Sequence, residues 1–100
     1  MEIKINKTEE GKVVEFIGRL DTPAALEANE TLAPLNEDAS GTIILDCGKM
    51  TYISSSGLRI FLTLRKSALQ KGGRIIVREI NDDIRSVFLM TGFLNLCEIQ

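Results

Sequence analysis

Two runs of β-branched and aliphatic residues, Ile43-Ile44-Leu45 and Ile75-Ile76-Val77, constrain this chain more than any other feature. A strand with one wet face alternates apolar and polar residues. These runs do not alternate, so they read as strands covered on both faces, over Thr42 to Asp46 and Arg74 to Arg78. Between them Leu58, Phe61, Leu62 and Leu69 recur at helical spacing, with Ile60 and Leu64 widening the stripe. Covered strand, helix and covered strand make a β-α-β unit, in which the strands are parallel and the crossover right-handed.

The flanking segments extend that unit. Ile3 and Ile5 alternate with Glu2, Lys4 and Asn6, Glu9-Glu10-Gly11 is a turn, and Val13, Val14, Phe16 and Ile17 form a second strand, so a hairpin opens the chain. Thr22-Pro23 reads as N-cap and first residue of a helix that carries Ala25, Ala28, Leu32 and Leu35 on one stripe. Pro34 ends or kinks that helix near Leu32. The central helix starts near Ser55, runs to about Gln70 and stops at Gly72-Gly73. Arg65 falls within its apolar arc and is expected to lay its stem on apolar surface and its head in water. Asn81 caps a last helix over residues 82–91, with Asp82 and Asp83 at its positive end and Gly92 closing it. Leu96 to Ile99 is a final strand.

The order β-β-α-β-α-β-α-β predicts an α/β fold: a mixed, largely parallel five-stranded sheet with helices near residues 23–33, 55–70 and 82–91. Val14, Phe16, Ile44, Leu58, Leu62, Ile76, Val77, Ile84 and Phe88 are its expected buried set. One hundred residues suit one compact domain, residues 1–100.

Composition narrows the function. The net charge is −2, with both signs spread along the chain, which leaves no basic face for nucleic acid and no polybasic membrane patch. The apolar runs are far shorter than a membrane span, and the first residues alternate as a strand and not as a signal peptide, so a cytoplasmic protein is expected. There is no histidine, which removes the Ser-His and Cys-His dyads and the usual base near neutral pH. Cys47 and Cys97 lie far apart, outside metal-binding spacing, and read as small buried residues. No catalytic residue, cofactor or metal is expected.

The informative segment runs from Asp46 to Arg59, out of a covered strand and into a helix N-terminus. The carboxyl edge of parallel strands is where open α/β sheets usually act. Ser54-Ser55-Ser56-Gly57 there has two readings. One is capping, with Ser54 or Ser55 satisfying free backbone N–H groups and Gly57 permitting close packing. The other is phosphorylation, since a helix N-terminus tolerates added negative charge. The segment lacks the Gly-x-Ser-x-Gly spacing of a nucleophile elbow, because Ser54 precedes Ser56 by two residues, and it lacks the Gly-Lys-Ser/Thr of a P-loop.

Three stretches resemble the STAS domains of bacterial anti-sigma factor antagonists. They are Gly18-Arg19-Leu20-Asp21, Tyr52-Ile53-Ser54-Ser55-Ser56-Gly57-Leu58-Arg59 and Phe88-Leu89-Met90-Thr91-Gly92-Phe93, and the likeness in element order spans nearly the whole chain. The resemblance implies a partner switch. In that family the serine directly before Gly-Leu, here Ser56, is phosphorylated by an anti-sigma factor that is itself a serine kinase. The unmodified antagonist binds the anti-sigma factor and frees the sigma factor. Phosphorylation ends the contact, and a PP2C-type phosphatase restores it. Asp21, Thr22, Ser54, Ser55, Gly57, Leu58 and Arg59 are the implied partner-binding residues. Two departures stand out. Many members carry aspartate where this chain has Ser54, which leaves Ser55 as second choice of acceptor. Many also continue past the last strand into a further helix, whereas this sequence stops at Gln100; the face that helix covers is expected to be exposed or used for contact. The alternative within the same fold is a constitutive adaptor, such as the STAS subunit of a lipid-transport ATPase complex. A small enzyme or nucleotide hydrolase is disfavoured by the missing histidine, P-loop and carboxylate cluster.

Overall fold

The computed structural model describes residues 1–100. The hairpin strands are β1 (Glu2–Thr8) and β2 (Gly11–Leu20), followed by helices α1 (Thr22–Thr31) and α2 (Ala33–Glu37). Then come β3 (Thr42–Ile53), α3 (Ser55–Gln70), β4 (Arg74–Arg78), α4 (Asp82–Thr91), a 3-10 turn (Phe93–Asn95) and β5 (Glu98–Ile99). The sheet order is β1-β2-β3-β4-β5, with β1 antiparallel to β2 and every other pair parallel. The mixed, largely parallel sheet is therefore as expected.

Strand order and helix placement have one cause. Each crossover steps to the next strand in the same direction, and crossovers of one hand then deliver every helix to one face. The core confirms the placement. Phe16 of β2, Phe61 of α3, Phe88 of α4 and Phe93 meet with ring centroids 4.8–6.2 Å apart. Ile43, Leu45, Ile75 and Val77 point into the same cluster. Their neighbours Ile44 and Ile76 face the opposite side and are still buried. No helix covers that side. Registered around the two isoleucines are Glu15, Asp46, Arg74, Arg78 and Glu98, whose long side chains pair as Asp46–Arg78, at 3.3 Å, and Arg74–Glu98. The strands are thus covered on both faces, once by helices and once by ion-paired side chains.

Several local expectations change. Asp21, and not Thr22, caps α1: its carboxylate accepts the Ala24 N–H at 3.0 Å, and Thr22 is already helical. Aspartate and threonine both cap, and the one placed to reach the third amide takes the role. Pro34 does end α1 near Leu32, and the chain then forms the short helix α2. The α3 bounds are as read, but its buried side is rotated. Gly57, Leu58, Ile60, Phe61, Leu64 and Ala68 are buried, whereas Leu62 and Leu69 are 37% and 60% exposed. Small residues explain the rotation. Gly57 and Ala68 allow close approach, as do Ala24, Ala25 and Ala28 on the facing α1, so α3 turns its small side inward and leaves two leucines at the margin. Arg65 sits in the arc as expected, half-buried, and its Nε donates to the Leu96 carbonyl in an exposed hydrogen bond. The final strand is shorter than expected: Leu96 closes the 3-10 turn Phe93–Asn95, and only Glu98 and Ile99 pair with β4.

Both cysteines are unpaired thiols. Burial pushes the Cys47 thiol up to about 12 and the half-buried Cys97 thiol up to about 11.

Candidate functional site at the carboxyl edge of the sheet

The site is built where β2 and β3 end. Strand β3 runs seven residues beyond Asp46, so more than half of the informative segment is strand. Its pairing with β2 shifts register twice, between Glu15 and Ile17 and between Gly18 and Arg19. The bulges change the side-chain period: Cys47, Met50 and Ile53, three apart, are all buried. They also bring Arg19 and Tyr52 side by side, with the guanidinium carbon 4.4 Å from the ring centroid.

Ser54 then joins three elements. Its backbone N–H and its hydroxyl both donate to the Leu20 carbonyl, at 2.9 and 3.0 Å. The same hydroxyl oxygen accepts the Gly57 N–H at 3.1 Å, which caps α3. The capping reading is therefore correct for Ser54. Gly57 is needed for a steric reason. A Cβ on it would lie 2.7 Å from Leu20 Cγ and 2.9 Å from the Leu20 carbonyl oxygen. Asn81, the cap of α4, donates to the Met50 carbonyl at 3.2 Å and ties a third helix start to the same edge.

The expected residues separate into two groups. Asp21, Ser54, Gly57 and Leu58 hold the shape: the first two cap helices, and the last two are buried. Thr22, Ser55 and Arg59 are exposed and Ser56 is half-buried. The Ser55 and Ser56 hydroxyls have no hydrogen-bond partner within the chain, in contrast to Ser54.

Ser56 opens onto a groove of about 280 Å³ between α1 and α3. Thr22, Leu26 and Asn29 line it from α1, and Ser56, Arg59 and Thr63 from α3, above Ala25 and Ile60. Leu26 is 72% exposed at its rim. Sequence reasoning missed Leu26, Asn29 and Thr63. A signal was present, since Thr22, Leu26 and Asn29 stand at helical spacing, as do Ser56, Arg59 and Thr63. That α1 and α3 face each other was not readable without the fold. The arrangement offers hydroxyls, an amide, one cation and an apolar rim, which suits recognition of a protein surface. No helix is long and apolar enough to cross a membrane.

Known proteins give a consistent picture. The STAS domain family model matches residues 2–100. The Staphylococcus aureus anti-sigma-B factor antagonist is 27% identical over 102 residues, covering 100% of this chain and 94% of that protein. A Bordetella bronchiseptica protein named as an anti-sigma factor antagonist, BtrV, is 28% identical over 96 residues, covering 96% of this chain and 83% of that protein. Among solved structures, the anti-sigma factor antagonist SpoIIAA in its unphosphorylated form superposes with a TM-score of 0.76 at 21% identity, over 99% of this chain and 87% of the other. The phosphorylated form of SpoIIAA, from Bacillus, gives 0.75 at 22% identity, over 99% and 91%. With a family model spanning all but the first residue, and a mixed five-stranded sheet shared with these folds, this chain belongs to the STAS domain family.

Proposed function

We propose that this chain, residues 1–100 acting as one STAS domain, is an anti-sigma factor antagonist switched by phosphorylation of Ser56. The unmodified form binds a kinase-type anti-sigma factor through the α1–α3 edge, with Thr22, Ser55, Ser56 and Arg59 as contacts. Asp21, Ser54, Gly57 and Leu58 act by holding those contacts in place. The reading rests on one observation above the rest. Of three adjacent serines, Ser54 is committed to the fold, while Ser56 has an unbonded hydroxyl at the mouth of a groove. The names of the relatives support the partner class.

In the switch, the γ-phosphoryl group of ATP passes to Ser56 Oγ. The new O–P bond forms as the bond to the ADP oxygen breaks, and the hydroxyl proton goes to a base on the kinase. A PP2C-type phosphatase reverses the modification, with water as the acceptor. The phosphate adds about −1.5 to −2 charges at pH 7. At the start of α3 such charge is tolerated, with a favourable interaction of roughly 0.3–1 kcal/mol. Across an interface the group must lose water against a surface shaped for a hydroxyl. A penalty of about 3–4 kcal/mol weakens binding by two to three orders of magnitude.

Incubation with a kinase-type anti-sigma factor and ATP, followed by mass spectrometry, tests the assignment. One phosphate on Ser56, lost in Ser56→Ala, is expected. A label that moves to Ser55 would place the acceptor one residue earlier. No label, with stable binding to a transporter ATPase instead, would favour the constitutive adaptor.

A further inference from the structure

The groove beside Ser56 has a charge balance that release of a partner does not by itself require. No carboxylate lines it, and Arg59 is its one charged side chain. Arg59 is exposed and belongs to none of the ion pairs of the molecule. Ser56 and Arg59 stand three residues apart on α3, a spacing that puts their Cβ atoms about 5–6 Å from each other. Both side chains open on the same groove, where Thr22, Asn29 and Thr63 add hydrogen-bonding groups.

We propose that Arg59 receives the phosphate of Ser56 within the same chain. The guanidinium fork pairs with two phosphate oxygens, a geometry that arginine favours over lysine. Thr22 and Asn29 supply further donors from the facing helix. The proposal rests on Ser56 as the acceptor and adds a second component to the switch. Modification brings a dianion to the contact edge and, in the same event, withdraws Arg59 from any partner carboxylate. The modified side chain lies along its own groove and is partly shielded from hydrolysis. Arg59 is a positioning residue for the phosphorylated state.

The test uses the full chain with phosphoserine placed at position 56 during synthesis, so that no kinase is needed. A failed kinase assay removes Ser56 as acceptor, whereas failure here removes Arg59 as receiver. The readout is the second ionisation of the phosphate, ordinarily near 6, followed by ³¹P NMR against pH. A neighbouring cation favours the dianion and lowers that midpoint. The parent is expected to titrate about half a pH unit below Arg59→Gln, with Arg59→Lys between them. Removal of the phosphate by a non-specific alkaline phosphatase should be several-fold faster in Arg59→Gln. Equal midpoints in parent and Arg59→Gln, both folded by circular dichroism, would overturn the proposal.

Discussion

Gly57→Ala is the smallest change that tests how the site is held. In a helix, alanine is favoured over glycine by up to about 1 kcal/mol. The fold opposes that gain. The new Cβ would meet Leu20 Cγ at 2.7 Å, Leu20 Cδ2 at 2.9 Å and the Leu20 carbonyl oxygen at 2.9 Å. The side-chain atoms have nowhere to go, because Leu20 is fully buried. The oxygen is held too, since it accepts both the Ser54 N–H and the Ser54 hydroxyl. Relief requires either moving the first turn of α3 or breaking those bonds. Overpacking of this kind costs about 1–3 kcal/mol, and the clamped oxygen places it in the upper part of that range. After the propensity gain, a net loss of about 1–2 kcal/mol remains. For a domain of this size the melting temperature should fall by roughly 5–15 °C. Thermal and urea unfolding followed by circular dichroism measure it. In a Leu20→Ala background the Gly57→Ala change should cost less, because two of the three contacts are gone, but more than zero, because the oxygen remains. A Gly57→Ala protein as stable as the parent would refute the claim that this contact seats α3.

Ser54→Ala removes the cap of α3 and one of two donors to Leu20, and should lower stability by about 1–2 kcal/mol in urea unfolding. Ser55→Ala should leave stability within about 0.5 kcal/mol by the same measurement, since its hydroxyl is free. The thiols predict slow chemistry: at pH 8 Cys47 and Cys97, raised to about 12 and about 11, should react with a thiol reagent on the order of 100-fold or more slowly in the folded chain than in urea. Because the folded-state value for Cys47 lies above the ordinary 9.0, its contribution is complete below that pH and is lost as pH rises toward about 12, so Cys47→Ala should flatten the alkaline limb of the stability profile. For Glu98 the sign is reversed: its pairing with Arg74 holds the carboxyl below its ordinary value, so the small contribution of this surface pair is present above that value and lost on acidification, and Glu98→Gln should remove it.

What could be read from the chain depended on whether a residue carries its own local signal. Asn81 before Asp82-Asp83, Gly92 after the last helix and Pro34 within the first each announce a boundary, and the structure puts the boundaries there. Gly92 is left-handed, with φ 78°, as a helix-closing glycine requires. The strands Ile43-Ile44-Leu45 and Ile75-Ile76-Val77 were equally plain, but not what covers their second face, because Asp46–Arg78 and Arg74–Glu98 pair across strands far apart in sequence. Bulges hid the length of β3, since they break the alternation by which a strand is recognised. Leu62 is misleading because hydrophobicity alone does not register the glycine and alanine that decide which side of α3 comes close. At the site, Ser54 to Arg59 were legible by spacing and family resemblance. The groove was not, because its α1 wall lies 27 or more residues away in the chain and meets α3 only in the folded protein.

Switching at Ser56 is tested most directly by calorimetric titration of a kinase-type anti-sigma factor with the unmodified chain and with the same chain carrying phosphoserine at position 56, alongside thermal unfolding of both. The expected result is a loss of affinity by two to three orders of magnitude, with melting temperatures that differ by no more than a few degrees. Ser56→Asp should reproduce part of the loss, since it carries less charge and fewer acceptor oxygens. Equal affinity of the two forms, or a modified chain that has lost its fold, would contradict a switch that works by blocking the interface.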